Sequence, residues 1–92
     1  MKTYTLRGSR IRSRADLFTE LGHAVNGPDG YFGSNLDALA DCLGGGFGTP
    51  EDASFRFVLT DSEKAKAALD SHTWSGLLEV FEEAGIDLVL RD

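Results

Sequence analysis

Apolar residues along this chain switch repeatedly between the period of a strand and that of a helix. Lys2 to Leu6 (KTYTL) alternates short β-branched and aromatic residues and predicts a strand. Gly8 then turns the chain. Leu17, Leu21, Ala24 and Val25 recur at helical spacing, and Ser13 with Asp16 three residues on resembles a capping box, so a helix is expected from about Arg14 to Val25. Asn26-Gly27-Pro28-Asp29-Gly30 cannot continue it. In YFGSNLDALADCL, Tyr31 to Leu43, an aromatic–glycine turn runs straight into a second helix, capped by Ser34 or Asn35, with Leu36, Leu39, Ala40 and Leu43 as its buried stripe.

After the glycine cluster 44–48, Ser54 to Thr60 (SFRFVLT) reads as a strand too apolar for an edge, hence central. Thr60-Asp61-Ser62-Glu63 opens a short helix to Leu69, and a break follows at Asp70-Ser71. A further helix from about Thr73 to Ala84 buries Trp74, Leu77, Leu78 and Phe81, Gly85 closes it, and Ile86 to Leu90 is the last strand. The order is β-α-α-β-α-α-β. Strands joined by long helical crossovers are parallel, and the crossovers are expected to be right-handed. The predicted fold is α/β, a three-stranded parallel sheet packed with about four helices in a single domain, 1–92.

Charge singles out the second helix. Asp37 and Asp41 stand one turn apart on its solvent side, where like charges repel. Asp37 lies in the first turn, where the helix dipole favours an anion; Asp41 lies near the other end, where it does not. Stability therefore does not explain Asp41. The net charge is −6, and five of the nine basic residues (Lys2, Arg7, Arg10, Arg12, Arg14) fall in the first fourteen positions. From Ala15 through Phe55 there is no Lys or Arg, while Asp16, Glu20, Asp29, Asp37, Asp41, Glu51 and Asp52 are all acidic. Such a middle argues against direct nucleic-acid binding and favours a basic protein partner; the plainer reading is acidity for solubility.

Other chemistry is sparse. A single cysteine, Cys42, precludes an intrachain disulfide and fits a cytoplasmic protein, and no apolar run is long enough for a membrane span. Gly44-Gly45-Gly46-x-Gly48 follows a helix end and lacks a lysine, so an exit loop is expected rather than a phosphate cradle. Two carboxylates with no histidine near them in sequence make no metal site; His23 and His72 read as ordinary surface residues and Cys42 as a packed thiol. We expect no enzyme, no cofactor and no metal. A small enzyme using Asp37 or Asp41 as base is the remaining catalytic possibility. Of the two aromatics beside Gly33, Phe32 is expected to anchor the loop in the core, and Tyr31, whose hydroxyl wants water or a partner, to face outward.

The stretch YFGSNLDALADCL resembles the signature of the barstar family, intracellular inhibitors of barnase-type ribonucleases. IRSRADLF, LLEVFEEA and IDLVL resemble that family's first helix, last helix and final strand. The resemblance implies a stoichiometric inhibitor, a monomer when free, that blocks the active site of a basic, guanyl-specific bacterial ribonuclease in a 1:1 complex. It makes Asp41 the central anchoring carboxylate and Asp37 its companion, with Tyr31 packing on the enzyme's active-site histidine. Gly33 and Asn35 become loop and helix-start contacts, Gly45 a further partner-binding position, and Glu83 an acidic contact on the last helix. The chain departs from the family pattern at Ala40 and Gly46, where tryptophans are expected, at the additional Gly30, in the lean 44–48 loop, and at Ile86 in place of a cysteine. These departures imply a target related to barnase rather than barnase itself. The alternative is an acidic binding module for another basic protein or toxin.

Overall fold

A computed structural model describes residues 1–52 and 54–92. The elements follow the expected order: β1 (Lys2–Arg7), a 3-10 turn (Gly8–Arg10), α1 (Arg14–Asn26), α2 (Leu36–Leu43), β2 (Phe55–Thr60), α3 (Ser62–Ala68), α4 (Ser71–Ala84) and β3 (Leu88–Leu90). The three strands form one parallel sheet with β2 in the middle, Lys2 facing Phe55 in register and Leu59 facing Leu90. The α/β class, the parallel sheet and the central place of SFRFVLT are as the sequence predicts.

Alternation along the strands decides which face is covered. Tyr4, Leu6, Phe55, Phe57 and Leu59 point into one core with Leu17, Leu21, Leu39, Leu43, Leu77 and Phe81 from the helices. Phe57 is its hub: its ring lies 5.2 Å from those of Tyr4 and Phe81 and 6.0 Å from Phe32. Edge-to-face and tilted rings at such separations add to the area they bury. On the opposite face Thr3, Thr5 and Arg56 stand exposed, with Arg56 Nε donating to Thr3 Oγ1 at 3.1 Å. Val58, on that same face, is nevertheless buried at 6% exposure, although it stands outside the main core cluster.

Local signals mark the element ends. Ser13 Oγ accepts from the Asp16 N–H at 3.2 Å, and the Asp16 carboxylate accepts from the Arg12 N–H, a reciprocal cap that fixes the start of α1. Asp70 caps α4, accepting from both the N–H and the hydroxyl of Thr73, so the helix begins at Ser71 rather than Thr73. The last strand is shorter than expected: Ile86 is buried beneath the left-handed Gly85 cap, and the ladder starts where the Phe57 N–H meets the Asp87 carbonyl at 3.0 Å. The first strand runs one residue further, to Arg7, whose N–H donates to the buried carboxylate of Glu20 at 2.8 Å.

Candidate functional site

The site is built on α2. Asn35 is its cap, Oδ1 accepting from the Ala38 N–H at 2.7 Å, and Asp37 stands in the first turn. At the other end the Gly44 N–H reaches the Ala40 and Asp41 carbonyls and the Gly45 N–H that of Cys42, so those helix-end carbonyls have protein partners. The last turn carries no basic side chain. At roughly 100° per residue, Asp41 lies almost diametrically opposite the buried stripe.

That stripe differs from the expected one. Leu39, Cys42 and Leu43 are buried and Leu36 half-buried, whereas Ala40 is exposed. Ala40 follows Leu36 by four residues, but the core approaches from the Leu39–Cys42 side, which turns Ala40 toward the edge shared with Asp37. The small residue therefore stands beside the carboxylates, not beneath them. Cys42 is 1% exposed, and burial, reinforced by the Asp41 charge, pushes its thiol pKa up. A thiol held neutral in this way is a packing group, not a nucleophile.

Three contacts hold α2 in place. Leu36 lies against Gly76, where even a methyl group would overlap its side chain, so α4 accepts α2 through a notch in its surface. Phe32 is fully buried beneath the approach loop. Gly33 follows it with φ +93°, and a Cβ there would fall 2.9 Å from Leu39 N and 3.0 Å from Leu39 Cα. Glycine is required at this point both by the dihedral and by the close passage of the loop over the helix. Gly30 similarly presses on α1, where Gly22 and Gly30 lie back to back with no room for a side chain on either.

Tyr31 is 54% exposed, Asp37, Asp41 and Asn35 are exposed, and Gly45 is half-buried. Gly33 is buried, so it offers a partner no side-chain surface and acts by shaping the loop. Glu83 is exposed on α4, two turns beyond Gly76 and on the same side of that helix as the notch that receives Leu36. A groove of about 350 Å³ opens between α1 and the approach loop, lined among others by Arg14, Phe18, Tyr31 and Ser34, with the Arg14 guanidinium over the Phe18 ring. His23 and His72 are exposed. Among the described residues no three His, Cys, Asp or Glu side chains gather as a metal site would need, and no helix is long and apolar enough to cross a membrane.

One residue was read from the sequence only as the end of a helix. Asn26 Nδ2 donates to the Tyr31 carbonyl at 2.7 Å and to the Phe47 carbonyl at 2.8 Å. It ties together the loops entering and leaving α2. An asparagine before a glycine signals a helix end from sequence alone, and nothing local reveals a bond spanning twenty-one residues.

The family model described as Barstar (barnase inhibitor) matches residues 1–91 of the 92-residue chain.

Proposed function

This chain belongs to the barstar family, and from that premise we propose that it inhibits a small, basic, guanyl-specific secreted ribonuclease by occupying its active site in a 1:1 complex. Ribonucleases of this class bind an RNA phosphate with arginine, lysine and histidine side chains. A carboxylate on a rigid helix satisfies the same cations without offering a bond to cleave. Asp41 is the anchoring carboxylate and Asp37 its companion. Tyr31 meets the enzyme's active-site histidine, Gly33, Asn35 and Gly45 shape the surrounding contact, and Glu83 adds an acidic contact from α4. The protein acts as one domain, in the cytoplasm, protecting its producer before the enzyme is exported.

The observation that supports this reading best is the placement of Asp41, exposed at the helix end where the dipole disfavours an anion and where no basic side chain compensates it. Such a group costs the free protein stability and is explained by a cation supplied from outside. The exposed Ala40 and the lean 44–48 loop leave less contact area around the carboxylates, which points to a relative of barnase as the target.

Titrating the protein into several guanyl-specific ribonucleases while following RNA cleavage tests the reading. A stoichiometric end-point is expected with one of them, and Asp41→Ala is expected to weaken binding by about 2 kcal/mol or more, partly by leaving enzyme cations unpaired. The upper range of that scale comes from a member of this same family and is carried over. Because the attraction is between charges, association is expected to slow as salt rises. Absence of inhibition across the panel, with another basic protein captured instead, would select the acidic binding module.

A further inference from the structure

The carboxylates leave the glycine-rich exit loop of α2 unexplained. Among the described residues four large apolar side chains are exposed, Met1, Tyr31, Phe47 and Leu90, and two of them, Tyr31 and Phe47, flank α2 in sequence. The Asn26 amide uses both hydrogens to hold the carbonyls of those two residues. The two carbonyl oxygens can be no further apart than these hydrogen bonds laid end to end. The backbone on either side of Phe47 is in the positive-φ region, Gly46 at +87° and Gly48 at +117°, and a side chain at position 48 would overlap Asn26 Oδ1. Ordering glycines carries a large entropic cost. Here that order leaves a phenyl ring 44% exposed at the surface, on a residue whose carbonyl shares the Asn26 amide with that of Tyr31.

We propose that Phe47 is a second aromatic contact for the inhibited ribonuclease, its backbone tied to that of Tyr31 by the Asn26 clamp, and that its ring takes an arginine guanidinium of the enzyme. The inference rests on the inhibitor reading above. The ring stands in a stretch, Ala15 through Phe55, that has acidic residues and no Lys or Arg. Asp37, Asp41, Glu51 and Asp52 in that stretch are exposed. A planar cation suits such surroundings, because it stacks on an aromatic face while its N–H fork pairs with a carboxylate. Lysine, a hydrated point charge, fits the ring less well.

Dissociation constants for the natural sequence and for Phe47→Ala, Phe47→Leu, Phe47→Tyr and Asn26→Ala, measured against the guanyl-specific ribonuclease that the protein inhibits best, test the inference. Asp41→Ala serves as the reference. Phe47→Ala is expected to weaken binding about tenfold, Phe47→Tyr to match the natural sequence, and Phe47→Leu to stay close to Phe47→Ala because the apolar area remains and the π face does not. Asn26→Ala is expected to weaken binding with its circular dichroism unchanged. In the free protein, nuclear Overhauser effects between segments 31–33 and 46–48 are expected, and should vanish in Asn26→Ala. Binding within twofold of the natural sequence for Phe47→Ala, while Asp41→Ala loses affinity, overturns the inference and leaves the inhibitor reading standing. No binding by the natural sequence overturns both. Concentration-dependent dimerisation abolished by Phe47→Ala overturns it too, since the ring would then be covered by a second copy.

Discussion

Replacing Gly33 by alanine separates two ways in which a glycine can matter. Its φ of +93° costs a side-chain-bearing residue about 1–3 kcal/mol wherever it occurs. In addition, the new Cβ would sit 2.9 Å from Leu39 N and 3.0 Å from Leu39 Cα. These are backbone atoms inside α2 and cannot swing aside as a flexible side chain would, so an overpacking cost of about 1–3 kcal/mol adds to the first. Gly45 supplies the control. Its φ of +114° is as unusual, yet nothing lies within 4 Å of a Cβ built on it. Gly45→Ala is therefore expected to carry only the dihedral cost, and the difference between the two variants isolates the overlap. Urea unfolding followed by circular dichroism measures both, read as a shift in midpoint at unchanged slope. Gly33→Ala is expected to be the less stable by about 1–3 kcal/mol, and also the poorer inhibitor, because relief of the overlap pushes α2 and its carboxylates outward. Equal midpoints for the two variants would refute the argument.

Phe32→Ala is expected to cost about 3–5 kcal/mol in the same assay, since the ring is fully buried against Phe57 and leaves a cavity under the approach loop; a loss below about 1 kcal/mol would mean the loop collapses into that space. Asp70 has its pKa lowered, chiefly by the Thr73 N–H and then by the Thr73 hydroxyl, with a smaller effect of His72. A carboxylate whose pKa is depressed by folding contributes stability above its unfolded pKa and loses it as pH falls through the folded one. The stability gap between the natural protein and Asp70→Asn is thus expected to be constant near neutrality and to close in acid, below the ordinary carboxylate range. A gap independent of pH would remove the charge from that cap.

The order of elements was legible because each carries its own local punctuation. Ser13 with Asp16 and Asn35 before LDAL are caps that act within three residues, and both side chains accept the expected hydrogen bonds; Asp70, read as part of a break, proves to be a third such cap. The apolar run of β2 likewise announced its central place. What spacing alone got wrong was which side of α2 meets the core: Leu36, Leu39, Ala40 and Leu43 fit a helical period as well as Leu36, Leu39, Cys42 and Leu43 do, and only the direction of the neighbouring sheet and α4 decides between them. Tyr31 and Phe32 were separable by chemistry, since a hydroxyl seeks water and a phenyl ring does not, and they stand 54% and 0% exposed. The reach of Asn26 across twenty-one residues and the notch at Gly76 are properties of packed elements, and no local pattern carries them.

The acidic end of α2 also bears on how this protein can be improved. Selection for thermal stability alone acts on the free molecule, and there Asp41 is a defect: an anion near the negative end of the helix dipole with no cation in the last turn. Neutral or basic replacements relieve that repulsion, so a library ranked by melting temperature is expected to discard the aspartate early and return hardier chains that no longer restrain a ribonuclease. If Asp41 anchors the enzyme as proposed, robustness and potency pull in opposite directions at this one position. A screen meant to preserve both has to be run with the enzyme present.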